Sequence, residues 1–238
     1  MSAAGPFPRR LAPQGAARRV VQLAWWSAWF GRAPGSLPGA TERWVVLDVE
    51  TSGLDVARDR LLAIAAVGLR VDWARGRLDV CLGDSFEVVL RQEQASSRDN
   101  ILLHGIGVQS QREGLDPVEA LQAFEAFVGE APLLAFHSAF DEALIGRHVR
   151  QLLGHRLANP WADIEHLCAA THPRVRARSL DEWMAHFGIT CPKRHQAAAD
   201  TLAECELLQS VWPAVAKECR SWRQVQRLAA SRRWLAAH

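Results

Sequence analysis

Asp48-Val-Glu50-Thr51, Phe140-Asp141 and His195-Gln-Ala-Ala-Ala-Asp200 place four carboxylates and one imidazole in three short motifs. Carboxylates are hard oxygen donors, and a group of them selects Mg2+ or Mn2+ over zinc. An imidazole titrates near neutral pH and suits removal of a proton from water. Two divalent cations with such a base beside them are equipment for hydrolysing a phosphodiester bond. Each motif alone has a plainer reading. Asp48 and Glu50 could be a solvent-facing pair, Asp141 a helix-terminus acid, and His195, beside Lys193 and Arg194, a surface histidine.

The elements around the motifs decide between these readings. Trp44-Val-Val-Leu47 reads as a buried central strand, followed at once by Asp48 and Glu50. The period of two puts both carboxylates on one face, where they repel and lose hydration unless a cation lies between them. Gly53 allows a tight turn where a nucleotide could approach the backbone. Leu61–Val71 and Arg77–Leu90 read as two further strands, joined as an antiparallel hairpin through Ala74-Arg-Gly76. Residues 91–115 are polar and glycine-containing, with His104-Gly-Ile at their centre, and no element is assigned there.

Pro117–Gly129 has apolar residues at helical spacing, with Asp116 as its cap. Pro132–Phe136 is a fourth strand, and the segment from Asp141 to Leu153 is helical. A short strand near Trp161-Ala162 leads into a helix from about Asp163 to Ala170. Ser179-Leu-Asp-Glu182 is a capping box opening a helix that Gly188 ends. A long helix runs from Gln196 to about Gln209, with Asp200 on an inner side otherwise Ala and Leu. Three strands followed by alternating strand and helix predict an α/β fold, a mixed five-stranded sheet flanked by helices.

The 238 residues suggest one domain with decorations. Residues 1–40 read as a leader followed by a helix carrying Trp25, Trp26 and Trp29, residues 41–212 as the main domain, and residues 213–238 as a basic helical tail. The net charge of +2 does not by itself announce nucleic-acid binding. Five cysteines without a Cys-x-x-Cys pair suit free thiols in a reducing compartment. No apolar run has the ~20 residues of a membrane span, and the expected location is cytoplasmic.

The three motifs resemble those of the DEDDh 3′–5′ exonucleases, of ribonuclease H-like fold, and especially those of proofreading subunits of bacterial replicases. The resemblance covers about residues 42–212. It is carried by Asp48-Val-Glu50-Thr51-Ser52-Gly53-Leu54-Asp55, Phe136-His137-Ser-Ala-Phe140-Asp141 and His195-Gln-Ala-Ala-Ala-Asp200-Thr, with His104-Gly-Ile as a further family-like segment. Asp163 stands where the family often has an acid after its fifth strand. A sister branch uses tyrosine as base; this chain has no tyrosine, which leaves His195 in that role. One position departs from the family, His137, where asparagine is usual.

The resemblance implies an exonuclease domain over residues 41–212. Asp48, Glu50, Asp141 and Asp200 would hold two Mg2+ or Mn2+ ions, with His195 as general base and Glu50 also catalytic. Thr51, Ser52, Gly53, Leu54, His104, Phe140 and His137 would bind the 3′ end of single-stranded DNA. The activity implied is release of nucleoside monophosphates, as in proofreading or DNA repair. Two alternatives are an exoribonuclease of the oligoribonuclease or RNase T type, and an inactive nucleic-acid-binding domain. The Trp-rich segment and the basic tail could dock a polymerase or another protein.

Overall fold

The computed structural model describes residues 41–235. The leader and Trp-rich helix expected within residues 1–40 lie outside the described residues. Three strands open the described chain: β1 (Thr41–Thr51), β2 (Leu61–Asp72) and β3 (Arg77–Val89). β2 pairs antiparallel with both β1 and β3. β2 is buried along nearly its whole length, as its Leu-Leu-Ala-Ile-Ala-Ala-Val run requires in a strand covered on both faces.

The polar segment after β3, to which the sequence assigned no element, folds as α1 (Arg98–His104) and α2 (Val108–Glu113). The Ser97 side chain caps α1 by accepting from the Asn100 N–H at 3.2 Å. Gly105 ends that helix in the left-handed region at φ 72°. Next come α3 (Pro117–Val128), β4 (Leu133–Ala135), α4 (Ala139–Leu153), β5 (Trp161–Asp163), α5 (Ile164–Thr171) and α6 (Leu180–Phe187). The Ser179/Glu182 capping box of α6 is formed as expected.

β4 joins β1 in parallel and β5 joins β4 in parallel, giving the order β3-β2-β1-β4-β5. This is the mixed five-stranded sheet that the sequence predicts. Val45, Leu47 and Val49 face α3 and α4, packing with Leu121, Phe124, Leu144 and Ile145. Trp44 and Val46 face the other layer, formed by α5, α6 and α7 (Ala197–Glu218). Asp48 and Glu50 continue the Trp44/Val46 row and so share its face.

The chain leaves β1 on one side through β2 and β3 and returns on the other at β4. Such a reversal opens a crevice beyond the carboxyl ends of the strands, the usual ligand position in α/β sheets. Here β1 and β4 pair only at Val45–Leu133 and Val46–Leu134. Past Val46, where the acids begin, β1 has no β4 partner.

The long helix expected to end near Gln209 continues as α7 to Glu218, through Pro213. A last helix, α8 (Trp222–Leu235), is anchored by aromatic packing. The buried Trp44 ring lies 5.6 Å from Trp73, 5.6 Å from Trp212 and 4.7 Å from Trp222, each in an edge geometry. Such pairs contribute about 0.5–1.5 kcal/mol each beyond burial. Val225 and Ala229 complete the docking of α8 by inserting into the core beside α5 and α7. No described helix is long and apolar enough to cross a membrane.

Candidate active site

Four acids from three elements meet at the crevice. Asp48 and Glu50 end β1, Asp141 lies in the first turn of α4, and Asp200 in the first turn of α7. Glu50, Asp141 and Asp200 are buried. The sequence explains how α7 comes so near. Ala197 is small and buried, and Thr201 Oγ1 reaches the Ala65 carbonyl of β2 at 3.3 Å.

The electrostatics are those of crowded like charges. Burial pushes the Asp48 carboxyl well above its usual range, and Asp141, Glu50 and Asp200 push it further. Burial also pushes Asp141 up to about 8; backbone hydrogen bonds, including one from Val49, oppose the rise and the charge of Asp163 adds to it.

A fifth acid joins the cluster that the sequence reading missed. Glu204 of α7 is buried, at 2% exposure, and its Oε2 accepts from the Phe136 N–H at 3.1 Å. Burial raises its pKa well above the ordinary value, and Asp48, Asp141 and Asp200 contribute. The expectation of an inner α7 face that is otherwise Ala and Leu is therefore corrected. Its signal was available: Glu204 lies four residues after Asp200, one turn along the same stripe.

His195 stands exposed in the loop before α7, and its backbone N–H donates to Asp200 Oδ2 at 3.0 Å. Its φ of 61° lies in the left-handed region. Its ring centroid is 6.5 Å from that of His104. α1 carries His104 to the acids: Asn100 Nδ2 donates to the Thr51 carbonyl at 2.7 Å, and His104 Nδ1 meets Glu50 Oε2. Arg194, also unanticipated, binds Asp200 and holds Asp181 of α6 at 2.6 Å.

The other residues expected at the site lie along its rim. Thr51 Oγ1 donates to the Gly53 carbonyl at 2.6 Å, and Ser52 Oγ to Asp59 Oδ1 at 2.8 Å. A Cβ on Gly53 would lie 2.5 Å from Asp59 Oδ2, so glycine here makes room for the carboxylate that orders the turn. Leu54 stands 88% exposed beside that turn, and Phe140 is half-buried against the α3/α4 core. His137 is exposed, with its N–H donating to Asp163 Oδ1 at 3.2 Å and its φ at 59°. Asn and His are among the non-glycine residues enriched in that backbone region, which gives a physical reason why histidine can replace the asparagine usual in the resembling family.

The donor chemistry suits hard divalent cations. The five acids offer carboxylate oxygens of the hard kind such cations prefer, and among the described residues Glu50 Oε1 is buried without a hydrogen-bond partner. Among the described residues no group of three or more His, Cys, Asp or Glu side chains is arranged so that it could hold a metal ion as the side chains stand. His104 and Arg194 instead occupy carboxylate oxygens of Glu50 and Asp200.

The β3-β2-β1-β4-β5 sheet, with acids from β1, α4 and α7 at its carboxyl edge, has the ribonuclease H-like fold. The RNase T exonuclease family model matches residues 45–208. The chain belongs to this family of DEDD-type 3′–5′ exonucleases. Among curated relatives, PolC-type DNA polymerase III of Oceanobacillus iheyensis is 26% identical over 187 residues, 79% of this chain and 12% of that protein. The Bacillus subtilis counterpart is 28% identical over 168 residues, 70% of this chain and 11% of that protein. The chain thus spans only about an eighth of the length of these relatives. Among solved structures, E. coli exonuclease I in complex with a dA16 oligonucleotide shares the fold, with a TM-score of 0.59 at 19% identity. That match covers 71% of this chain and 40% of that one. A zinc-bound form of an E. coli exonuclease I–single-stranded DNA complex matches with a TM-score of 0.60 at the same identity and coverage.

Proposed function

We propose that this protein is a divalent-metal-dependent 3′–5′ exonuclease that releases nucleoside monophosphates from the 3′ end of single-stranded DNA in the cytoplasm. The observation that carries this reading is the convergence of Asp48, Glu50, Asp141 and Asp200 at the switch point, with Glu50 Oε1 buried and unpartnered. Two Mg2+ or Mn2+ ions held by these acids would activate water and neutralise charge on the departing 3′ oxygen.

The chain's own residues do the rest. Asp200, fixed by the His195 N–H, ties the position of the base to that of the acids. The exposed His195 ring accepts the proton of the attacking water. His104, carried by α1 with its ring 6.5 Å from that of His195, would close over the strand. Thr51, Ser52 and Gly53 offer backbone and hydroxyl groups to the terminal sugar and phosphate, while Leu54 and Phe140 pack against bases. His137 adds a polar contact beside Phe140. The relatives' names favour DNA over RNA and a replicative setting in which a polymerase supplies the 3′ end.

The test is degradation of matched single-stranded DNA and RNA oligonucleotides with a 5′ label, in Mg2+, Mn2+ and EDTA. DNA is shortened stepwise from its 3′ end in either metal and left intact in EDTA, and Asp48→Ala abolishes the reaction. Preference for RNA would move the substrate to the RNase T type, a reading that the family match also accommodates. Cleavage that persists in EDTA or in Asp48→Ala would refute the mechanism.

A further inference from the structure

The last helix builds a second feature at the same edge of the sheet. A cavity of about 430 Å3 opens between the start of α4, the end of β5, α5 and α8. Its volume lies within the range of small-ligand sites. One wall is Ser138 and Glu142, which flank Asp141 in the first turn of α4, together with Asp163. The opposite wall is α8, which presents Arg223 and Arg227. The acid cluster and the cavity therefore share the first turn of α4 as a common partition.

α8 lies outside the family-matched residues 45–208. It is held in place from both sides. Trp222 packs on Trp44, Val225 and Ala229 are buried, and Gln226 Nε2 donates to the Trp161 carbonyl of β5 at 3.2 Å. The two arginines are the exposed side of this docked helix, four residues apart and so about 6 Å between Cβ atoms. Neither guanidinium has an ion-pair or hydrogen-bond partner among the described residues. Glu142 and Asp163 line the cavity with them, and Asp163 Oδ1 accepts from the His137 and Glu165 N–H groups at 3.2 and 2.9 Å.

Two guanidiniums one turn apart, without partners among the described residues and lining an open cavity, are suited to bidentate capture of successive phosphates. We propose that this cavity binds the sugar–phosphate backbone of the substrate strand upstream of its 3′ end, with Arg223 and Arg227 as the phosphate contacts. α8 thereby lengthens the binding surface beyond the terminal nucleotide. This inference rests on the exonuclease reading above.

The test uses the full chain and Arg223→Ala/Arg227→Ala, with Arg223→Lys/Arg227→Lys as the charge-conserving variant and thermal melting to check the fold. Binding is read by fluorescence anisotropy in Mg2+ with a DNA strand of about 12 nucleotides whose 3′ linkages are phosphorothioates that resist cleavage. The alanine variant is expected to bind roughly ten- to a hundredfold more weakly. The slope of log Kd against log salt should fall by roughly 1.4 for two phosphate contacts on a single strand, and the lysine variant should restore that slope but only part of the affinity, because the bidentate geometry is lost. In turnover, KM rises for the unmodified strand far more than for the 4-nitrophenyl ester of thymidine 5′-monophosphate, which fills only the cleavage site. Less than a twofold change in strand binding, or an equal loss on both substrates, overturns the proposal. A parent protein that binds the strand but cleaves nothing refutes the catalytic reading and leaves the binding comparison to judge the cavity. A parent that binds no strand overturns the cavity proposal directly.

Discussion

Crowding carboxylates at the switch point must make the metal-free fold less stable as pH rises. Asp141 is held up to about 8 against an ordinary 3.8, chiefly by burial. Between those values the unfolded chain ionises this acid while the folded chain keeps the proton. Folding then binds a proton, and the stabilisation present below the unfolded pKa is lost as pH climbs toward the folded one. A shift of about four units corresponds to a ceiling of roughly 5 kcal/mol. Side-chain rearrangement around Arg194 and His104 and the high effective dielectric reduce it to about 2–3 kcal/mol. In a domain of this size that is a fall in Tm of about 5–10 °C between pH 5 and 8. Asp48 and Glu204, both raised mainly by burial, act in the same direction. His148, whose proton affinity burial lowers, acts oppositely around neutral pH. Glu182, held low by backbone N–H groups, has finished titrating below this window. Divalent metal stabilises the ionised acids, so melting curves in saturating Mg2+ should separate from those in EDTA increasingly as pH rises, by about 2.7 kcal/mol or more at a hundred times Kd. Asp141→Asn should flatten the EDTA profile. A metal-free Tm that stays level or rises from pH 5 to 8, or an unchanged slope in Asp141→Asn, would refute the reasoning.

Three further outcomes follow from the site. His195→Ala should lower kcat on single-stranded DNA by about 10^2–10^4 while the Mg2+-induced rise in Tm persists. Loss of that rise would make the residue structural. Glu204→Gln keeps an acceptor for the Phe136 N–H but removes a buried charge. We expect a higher Tm in EDTA at pH 8 and a several-fold higher Mg2+ concentration at half-maximal rate. His137→Asn should match the parent in urea unfolding, whereas His137→Val, β-branched at φ 59°, should cost about 1–3 kcal/mol.

What the linear chain determined was the set of chemical groups and the periodicity that sorts them. The apolar run Trp44–Leu47 ahead of Asp48 and Glu50 marked a buried strand ending in acids, because a period of two is a local property. The capping box at Ser179 and the spacing of His195 to Asp200 were legible for the same reason. Segments governed by less local forces were not. α1 and α2 hide in a polar stretch where only Ser97 and Gly105 signal a helix, and it is the bond from Asn100 to the Thr51 carbonyl that brings His104 to Glu50. Glu204 carried the right spacing, yet nothing in the chain says that α7 turns it under Phe136 rather than toward solvent. Arg194 and the α8 arginines look alike in sequence. Tertiary packing binds the first to Asp200 and leaves Arg223 and Arg227 beside a cavity, without partners among the described residues. Residue type and local spacing name the groups able to react. Which of them lose water and feel one another's charge is decided only by the strand order that brings residues 48, 141, 200 and 204 to one crevice, because burial and Coulomb energy depend on distance through space.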